Sequence, residues 1–302
     1  MSQKTQAWIY LILLSLIWGS SFILMKRGMI SLDGTPLFSS LQVGVLRIVI
    51  AGIVLLPLIF LNIKKIQHKK DWLLFAVVGY FGNFFPSLLF TYAEEGLSSG
   101  LTAIIDSLTP VFTVLIGVYF FRQQIKFIQI AGLLVAFIGV YLLILFGNNV
   151  SFSGNLPHII AVVLATLCYG ISVNTIKFKL MNYSPMEIAS LSFATSIIPS
   201  ILIALFAGTY QVIQTNSRAL EGLFFISILS IIGTAVALFF FNKLIAISST
   251  IFSSSVTYSI PIVAVFIGAQ FGETIHYLQI IAMIIILSGI YLVNKKGESN
   301  LF

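Results

Sequence analysis

The sequence predicts an all-α integral membrane protein of ten transmembrane helices built as two inverted five-helix repeats, and three observations carry that expectation. The first is composition. The 302 residues include 16 Lys and Arg and 9 Asp and Glu, so 8% are charged while 59% are hydrophobic. Soluble domains are about a quarter charged, and a chain this poor in charge cannot cover a water-facing surface. A soluble enzyme, a secreted module, a disordered chain and a nucleic-acid binder are thereby excluded. The second is a run of ten apolar stretches, each close to the roughly 17–25 residues that cross a ~30 Å hydrocarbon core as a helix. The third is an internal repeat with an offset of 150 or 151 residues, half the chain.

The ten stretches fall at about 8–26, 38–60, 72–92, 100–121, 127–146, 157–176, 186–207, 220–241, 251–271 and 276–293. Helices are expected because lipid offers no partner to an open backbone group. A membrane β-barrel would need alternating strands, and runs such as 281–287 do not alternate. The first stretch is too long for a signal-peptide core and no A-x-A site follows it, so it is expected to remain as a span.

With ten spans both termini share one side. That side carries Lys4, Lys64, Lys65, Lys69, Lys70, Arg122, Lys126, Lys177, Lys179, Lys243, Lys295 and Lys296, 12 of the 16 basic residues. The opposite side has Lys26, Arg27 and Arg218, with acids at Asp33, Glu94, Glu95, Glu221 and Glu273, and Arg47 lies inside a span. The positive-inside rule then predicts a multi-pass protein of the cytoplasmic (inner) membrane with both termini cytoplasmic. The single Cys168 rules out an internal disulfide and a cysteine metal cluster. No metal and no cofactor is expected.

The repeat is read from motifs. Asp106-Ser-Leu-Thr-Pro110 in span four answers Thr257-Tyr-Ser-Ile-Pro261 in span nine, and Gly117 and Gly268 each stand seven residues past the proline. Further on, Phe127-Ile-Gln-Ile-Ala answers Tyr277-Leu-Gln-Ile-Ile, and Ile138-Gly-Val-Tyr-Leu answers Ser288-Gly-Ile-Tyr-Leu. The units are 1–148 and 149–302, five spans each. An odd number of spans turns the second unit over, and inverted repeats are the architecture of alternating access around a mid-membrane site.

At these residues the chain resembles the EamA-type transporters of the drug/metabolite transporter superfamily. The family's W-G-S-[SN]-F pattern appears as Trp18-Gly-Ser-Ser-Phe22, its S-L-T-P-[VL]-F-T motif as Ser107-Leu-Thr-Pro-Val-Phe-Thr113, and its G-E turn as Gly272-Glu273. The resemblance covers essentially the whole chain. It implies a secondary transporter, not an enzyme, that exports a small metabolite such as an amino acid, with drug or cation efflux as the alternative. It also implies a cavity lined by spans one, three, four, six, eight and nine. Two departures stand out: Arg122-Gln123 replaces the first-half G-E turn, and Asp106 occupies a commonly uncharged position.

Several residues are candidates for the substrate path. Interior prolines remove a helical hydrogen bond, so Pro110 and Pro261 are expected to kink spans four and nine and free the carbonyls of Asp106 and Thr257. Arg47 and Asp106 lie nine and six residues into their spans, depths of roughly 13 and 9 Å. Charges that deep cost at least ~2.5–3.5 kcal/mol and normally find a partner. They are read either as a substrate and proton-coupling site, with Asp106 the proton carrier, or as a static pair fixing helix register. Trp18, beside Ser21, suits a cavity wall or close helix packing. Asn83, Tyr92, Tyr169, Asn174 and Tyr258 are the favoured polar residues, others being left as interhelical pairs. Lys26, Glu94 and Glu95 are read as an external gate or as solvated helix ends.

The expected partners are a small-molecule substrate, the lipid bilayer and, through Asp106, protons; the sequence sets no oligomeric state. Gly96-Leu-Ser-Ser-Gly100 matches G-x-S-x-G but lies in a loop with no histidine tied to it. No H-E-x-x-H and no G-x-x-x-x-G-K-[ST] occurs. A channel would show a ring of charges or a carbonyl filter, and a scaffold would carry no flux at all.

Overall fold

The computed structural model describes residues 2–66, 68–146, 156–270 and 276–295. The turn residues Gly272 and Glu273 and the basic residue Lys296 lie outside them. All ten expected spans are helices: Gln3–Met29, Ser40–Asn62, Asp71–Gly96, 99–121, Phe127–Leu145, Leu156–Lys179, Pro185–Phe206, Ala219–Ile247, 250–270 and Tyr277–Lys295. Seven are long and apolar enough to cross a membrane alone, and the fifth, ninth and tenth are shorter apolar helices. A short helix, Thr209–Thr215, follows the seventh. The protein is an all-helical, multi-pass membrane protein.

Helix starts are written into the sequence. Spans two and seven both begin with a capping box, Ser39 with Gln42 and Ser184 with Glu187, in which side chain and backbone satisfy each other's open N–H groups. Ser98 and Ser249, 151 residues apart, cap spans four and nine. Gln129 and Gln279 each reach back to the backbone N–H three residues earlier, at 3.1 and 2.9 Å, to open spans five and ten. Apolar side chains such as Leu16, Phe60, Leu134, Phe206 and Ile284 cover the outer face, as lipid contact requires.

The packing shows the repeat. Span one packs on spans eight and nine, and span six packs on spans three and four, as a two-fold exchange of the halves demands. Spans two and seven pack on each other, as do five and ten. The last pair is tight, because Gly132 faces Gly289. A Cβ on Gly289 would lie 2.5 Å from Ala136 N and 2.7 Å from Gly132 O, so backbones touch there.

Four spans are irregular, and again in matching pairs. Spans three and eight contain π-helical bulges at Tyr80–Phe84 and Ile231–Val236. Spans four and nine are broken, span four in the turn just ahead of Pro110 and span nine six residues ahead of Pro261. Span four stops at Asp106 and restarts at Thr109, so Pro110 stands in the first turn of a new helix, where its missing N–H costs nothing. Span nine breaks at Ser255, and Pro261 lies inside the following helix, Val256–Gln270. Arg122, in the turn that departs from the family pattern, ends span four in the left-handed region at φ 53°.

Candidate functional site

The bulges and breaks surround a partly open central cavity of about 90 Å³, room for about six water molecules at ~15 Å³ each. Residues 18, 21, 22 and 25 of span one line it, and so do residues 169, 172, 173 and 176 of span six, each 151 further on. Spans three, four, eight and nine contribute as expected. Spans two and seven also contribute, through Arg47 and Ile48 and through Ala189 and Ser192, which corrects the six-span expectation. Their bulk packs on each other, but a few residues near the middle look inward.

The walls are built twice. Trp18 meets Phe241 edge-on with centroids 5.1 Å apart, and Tyr169 stacks on Phe90 at 5.8 Å, the same pair moved by 151 residues. In the second-half bulge Gly233 lies against Ser21, and in the first-half bulge Gly82 lies against Ser172. Glycine lets the serines approach this closely, since a Cβ would fall 3.1 and 2.4 Å from their oxygens and the hydroxyl at Gly82 would have to turn away. Hydrogen bonds repeat as well. Arg47 Nε donates to Thr234 Oγ1 at 2.6 Å, and Asn83 Nδ2 donates to Ser192 Oγ at 3.3 Å. Thr234 and Asn83 differ by 151; Arg47 and Ser192 differ by 145, the offset between the two capping boxes of spans two and seven. A π-bulge opens the backbone ladder, and Trp18 Nε1 uses the opening by donating to Gly233 O at 3.1 Å.

Symmetry fails at the charges. Arg47 answers Ser192 and Asp106 answers Thr257, so both charged groups of the cavity come from the first repeat. They do not pair. Among the described residues the ion pairs are Lys26–Glu94, Lys65–Glu187 and Arg218–Asp33. Asp106 Oδ1 accepts from Thr109 Oγ1 at 3.1 Å, and Tyr169 lies within electrostatic reach of both Arg47 and Asp106. The two terminal nitrogens of Arg47 and Oδ2 of Asp106 have no partner among the described residues. The cavity therefore holds a guanidinium and a carboxyl group, each with bonding capacity to spare, in a mostly apolar shell of Trp18, Phe22, Phe90 and Phe241.

Of the residues singled out from sequence, Trp18, Ser21, Arg47, Asn83, Asp106, Tyr169 and Thr257 line this cavity. Tyr92, Asn174 and Tyr258 do not. Tyr92 is 39% exposed and stacks on His158 at 4.5 Å. Asn174 is fully buried and spends its amide on Thr113 O and Gly170 O, both at 2.8 Å, tying span six to span four. Tyr258 is fully buried and donates to Leu133 O at 3.3 Å, tying span nine to span five. Neither proline faces the cavity. Lys26 reaches Glu94 at 3.6 Å, whereas Glu95 accepts the Ser40 N–H at 3.2 Å and so holds the start of span two. Sequence reasoning missed Gly82, Ser192 and Gly233 and gave Thr234 no special weight, although the repeat offset points from Asn83 to Thr234 directly.

The model of the EamA-like transporter family matches this chain twice, at residues 5–145 and 156–295. The chain belongs to the EamA-like transporter family. This EamA-like protein is thus a membrane transporter. It is similar to an uncharacterized transporter of Archaeoglobus fulgidus, 25% identical over 96% of this chain and 99% of the relative. It is also similar to a probable amino-acid metabolite efflux pump of Salmonella typhimurium, 24% identical over 93% of this chain and 92% of the relative. The uncharacterized inner membrane transporter YedA of Escherichia coli K12 is 23% identical over 93% of this chain and 88% of its own. A solved crystal structure shares the fold with a TM-score of 0.69 at 13% identity, covering 97% of this chain and 98% of its own.

Proposed function

We propose that this transporter is a secondary carrier that exports a small zwitterionic metabolite, foremost an amino acid, across the cytoplasmic membrane by alternating access. One observation carries the reading: Arg47 and Asp106 line a single apolar cavity without pairing. A solute with its own carboxylate and ammonium groups satisfies both, the carboxylate on the Arg47 fork and the ammonium on Asp106. A lone cation suits Asp106 but is repelled by Arg47, which argues against simple cation efflux. The similarity to the Salmonella relative, a probable amino-acid metabolite efflux pump, supports export and cargo class. The 12-to-3 division of basic residues supports cytoplasmic termini.

Asp106 serves in turn as proton site and ammonium site. With the ammonium bound the carboxylate is occupied; after release it takes a proton for the return step, which couples export to proton entry. The test is an efflux and uptake screen over amino acids, nucleosides and cationic drugs in a null host, repeated with Asp106→Asn. Saturable efflux of amino acids, with its pH dependence flattened in Asp106→Asn, is the expected result. Efflux of cations alone would overturn the cargo class, and unchanged pH dependence would remove the proton role.

A further inference from the structure

The same 151-residue offset that relates the cavity walls relates two lysines just beyond them. Met25 and Ile176 are the last lining residues of spans one and six, and Lys26 and Lys177 come immediately after. The partners correspond too. Lys26 pairs at 3.6 Å with Glu94 near the end of span three, and Lys177 Nζ donates to Ile245 O at 2.9 Å and to Ser248 O at 2.8 Å at the end of span eight. Ile245 is Glu94 moved by 151 residues. A third, longer bond from Lys177 reaches Ala246 O at 3.4 Å. In one half the acceptor is a carboxylate; in the other it is a helix C-terminus, whose open carbonyls carry partial negative charge. The two contacts lie at opposite ends of the cavity.

We propose that Lys26 and Lys177 are the two latches of the transport cycle, released in turn to open the cavity to opposite sides of the membrane. The first contact joins span one to the end of the bulged span three, and the second joins span six to the end of the bulged span eight. Closed, the outer contact is dry on its acceptor side: the Glu94 side chain is 0% exposed, with its Oε1 buried without a partner, while Lys26 is 42% exposed. That carboxylate is held on its Oε2 by Lys26 and by Ser99 Oγ at 2.9 Å, with the Thr102 hydroxyl beside it. Opened, lysine, carboxylate and helix-end carbonyls all regain water. A buried acceptor that is closed over by a half-exposed lysine in one position and hydrated in the other gives two stable positions. Unequal acceptors make the latches unequal, so substrate and proton binding bias one against the other.

This inference rests on the alternating-access reading, and the test separates the two. In a Cys168→Ser background, Ser254→Cys places one thiol in the cavity wall, to be labelled by a membrane-impermeant maleimide in right-side-out and inverted vesicles. Lys177→Met is expected to raise the ratio of labelling from the terminus-bearing side to labelling from the other side by about tenfold or more, as suits the loss of charge-assisted hydrogen bonds. Lys26→Met and Glu94→Gln are expected to shift the ratio the opposite way, and Lys177→Arg to restore it. Purely structural lysines would lower the folded yield without moving the ratio. An unlatched protein labelled from both sides, with a ratio that no lysine variant shifts, overturns the latches and leaves alternating access standing. Labelling of the reporter from one side alone, in every variant, overturns both.

Discussion

Replacing Arg47 with methionine should raise the stability of the protein while reducing its transport, two effects of opposite sign that a merely structural arginine would not produce. An arginine deep in a span costs about 2.5–3.5 kcal/mol on insertion scales. Against this the structure sets one protein hydrogen bond, from Arg47 Nε to Thr234 at 2.6 Å. Hydrogen bonds between membrane helices average only ~0.6 kcal/mol, and at most ~1.7 kcal/mol. Thr234 is not stranded by the change, since its hydroxyl also reaches Leu229 O at 3.2 Å. Methionine should therefore stabilise the fold by about 1–3 kcal/mol. The substrate carboxylate meanwhile loses a charge-assisted hydrogen bond worth about 1.5–3 kcal/mol, or roughly 10- to 150-fold in affinity. Thermal unfolding of the purified protein gives the first quantity, and the concentration dependence of exchange in proteoliposomes gives the second. A lower unfolding temperature, with exchange falling only as folded protein falls, would return Arg47 to a register-fixing role and refute the reasoning.

Three further outcomes follow from the geometry. Arg122→Gly relieves a left-handed backbone at φ 53° and should stabilise the protein by about 1 kcal/mol, read as a higher unfolding temperature. Gly289→Ala presses a methyl into the backbone of span five, 2.5 Å from Ala136 N; overpacking of about 1–3 kcal/mol exceeds the helix-propensity gain, so unfolding should come at lower temperature with affinity for substrate unchanged. Asp33, in the loop joining spans one and two, is held well below the usual carboxylate range, first by the Ser31 hydroxyl, then by Thr35 and Arg218. A depressed folded value stabilises above the unfolded one, near pH 4, and is lost as pH falls through the folded one. Asp33→Asn should thus lower the unfolding temperature at pH 7, by an amount that shrinks below about pH 4.

Much of the fold was legible because membrane helices announce themselves by length and hydropathy, and because Pro110 and Pro261 with their following glycines mark the duplication. The break in span four falls just ahead of its proline, whereas that in span nine lies farther from Pro261 than a proline kink would put it. Proline at the start of a helix costs nothing, and the turn at Ser107–Leu108 puts Pro110 there instead of in an interior. π-Bulges have no composition of their own, so Tyr80–Phe84 and Ile231–Val236 left no trace except glycines at matching positions. Tyr92, Asn174 and Tyr258 misled because a polar group in a span is satisfied as well by a neighbouring backbone or an aromatic stack as by a solute. Arg47 and Asp106 were findable from depth alone; that Tyr169 stands within reach of both was not, since it belongs to the other repeat.

Counterflow in proteoliposomes tests the central claim most directly. Vesicles loaded with millimolar unlabelled amino acid are diluted into a trace of labelled amino acid at equal pH and zero potential. A carrier whose single cavity faces each side in turn should drive transient, saturable accumulation of label above equilibrium, and Arg47→Met should abolish it at low substrate. Label that rises monotonically to equilibrium, at a rate indifferent to the internal load, would contradict the account.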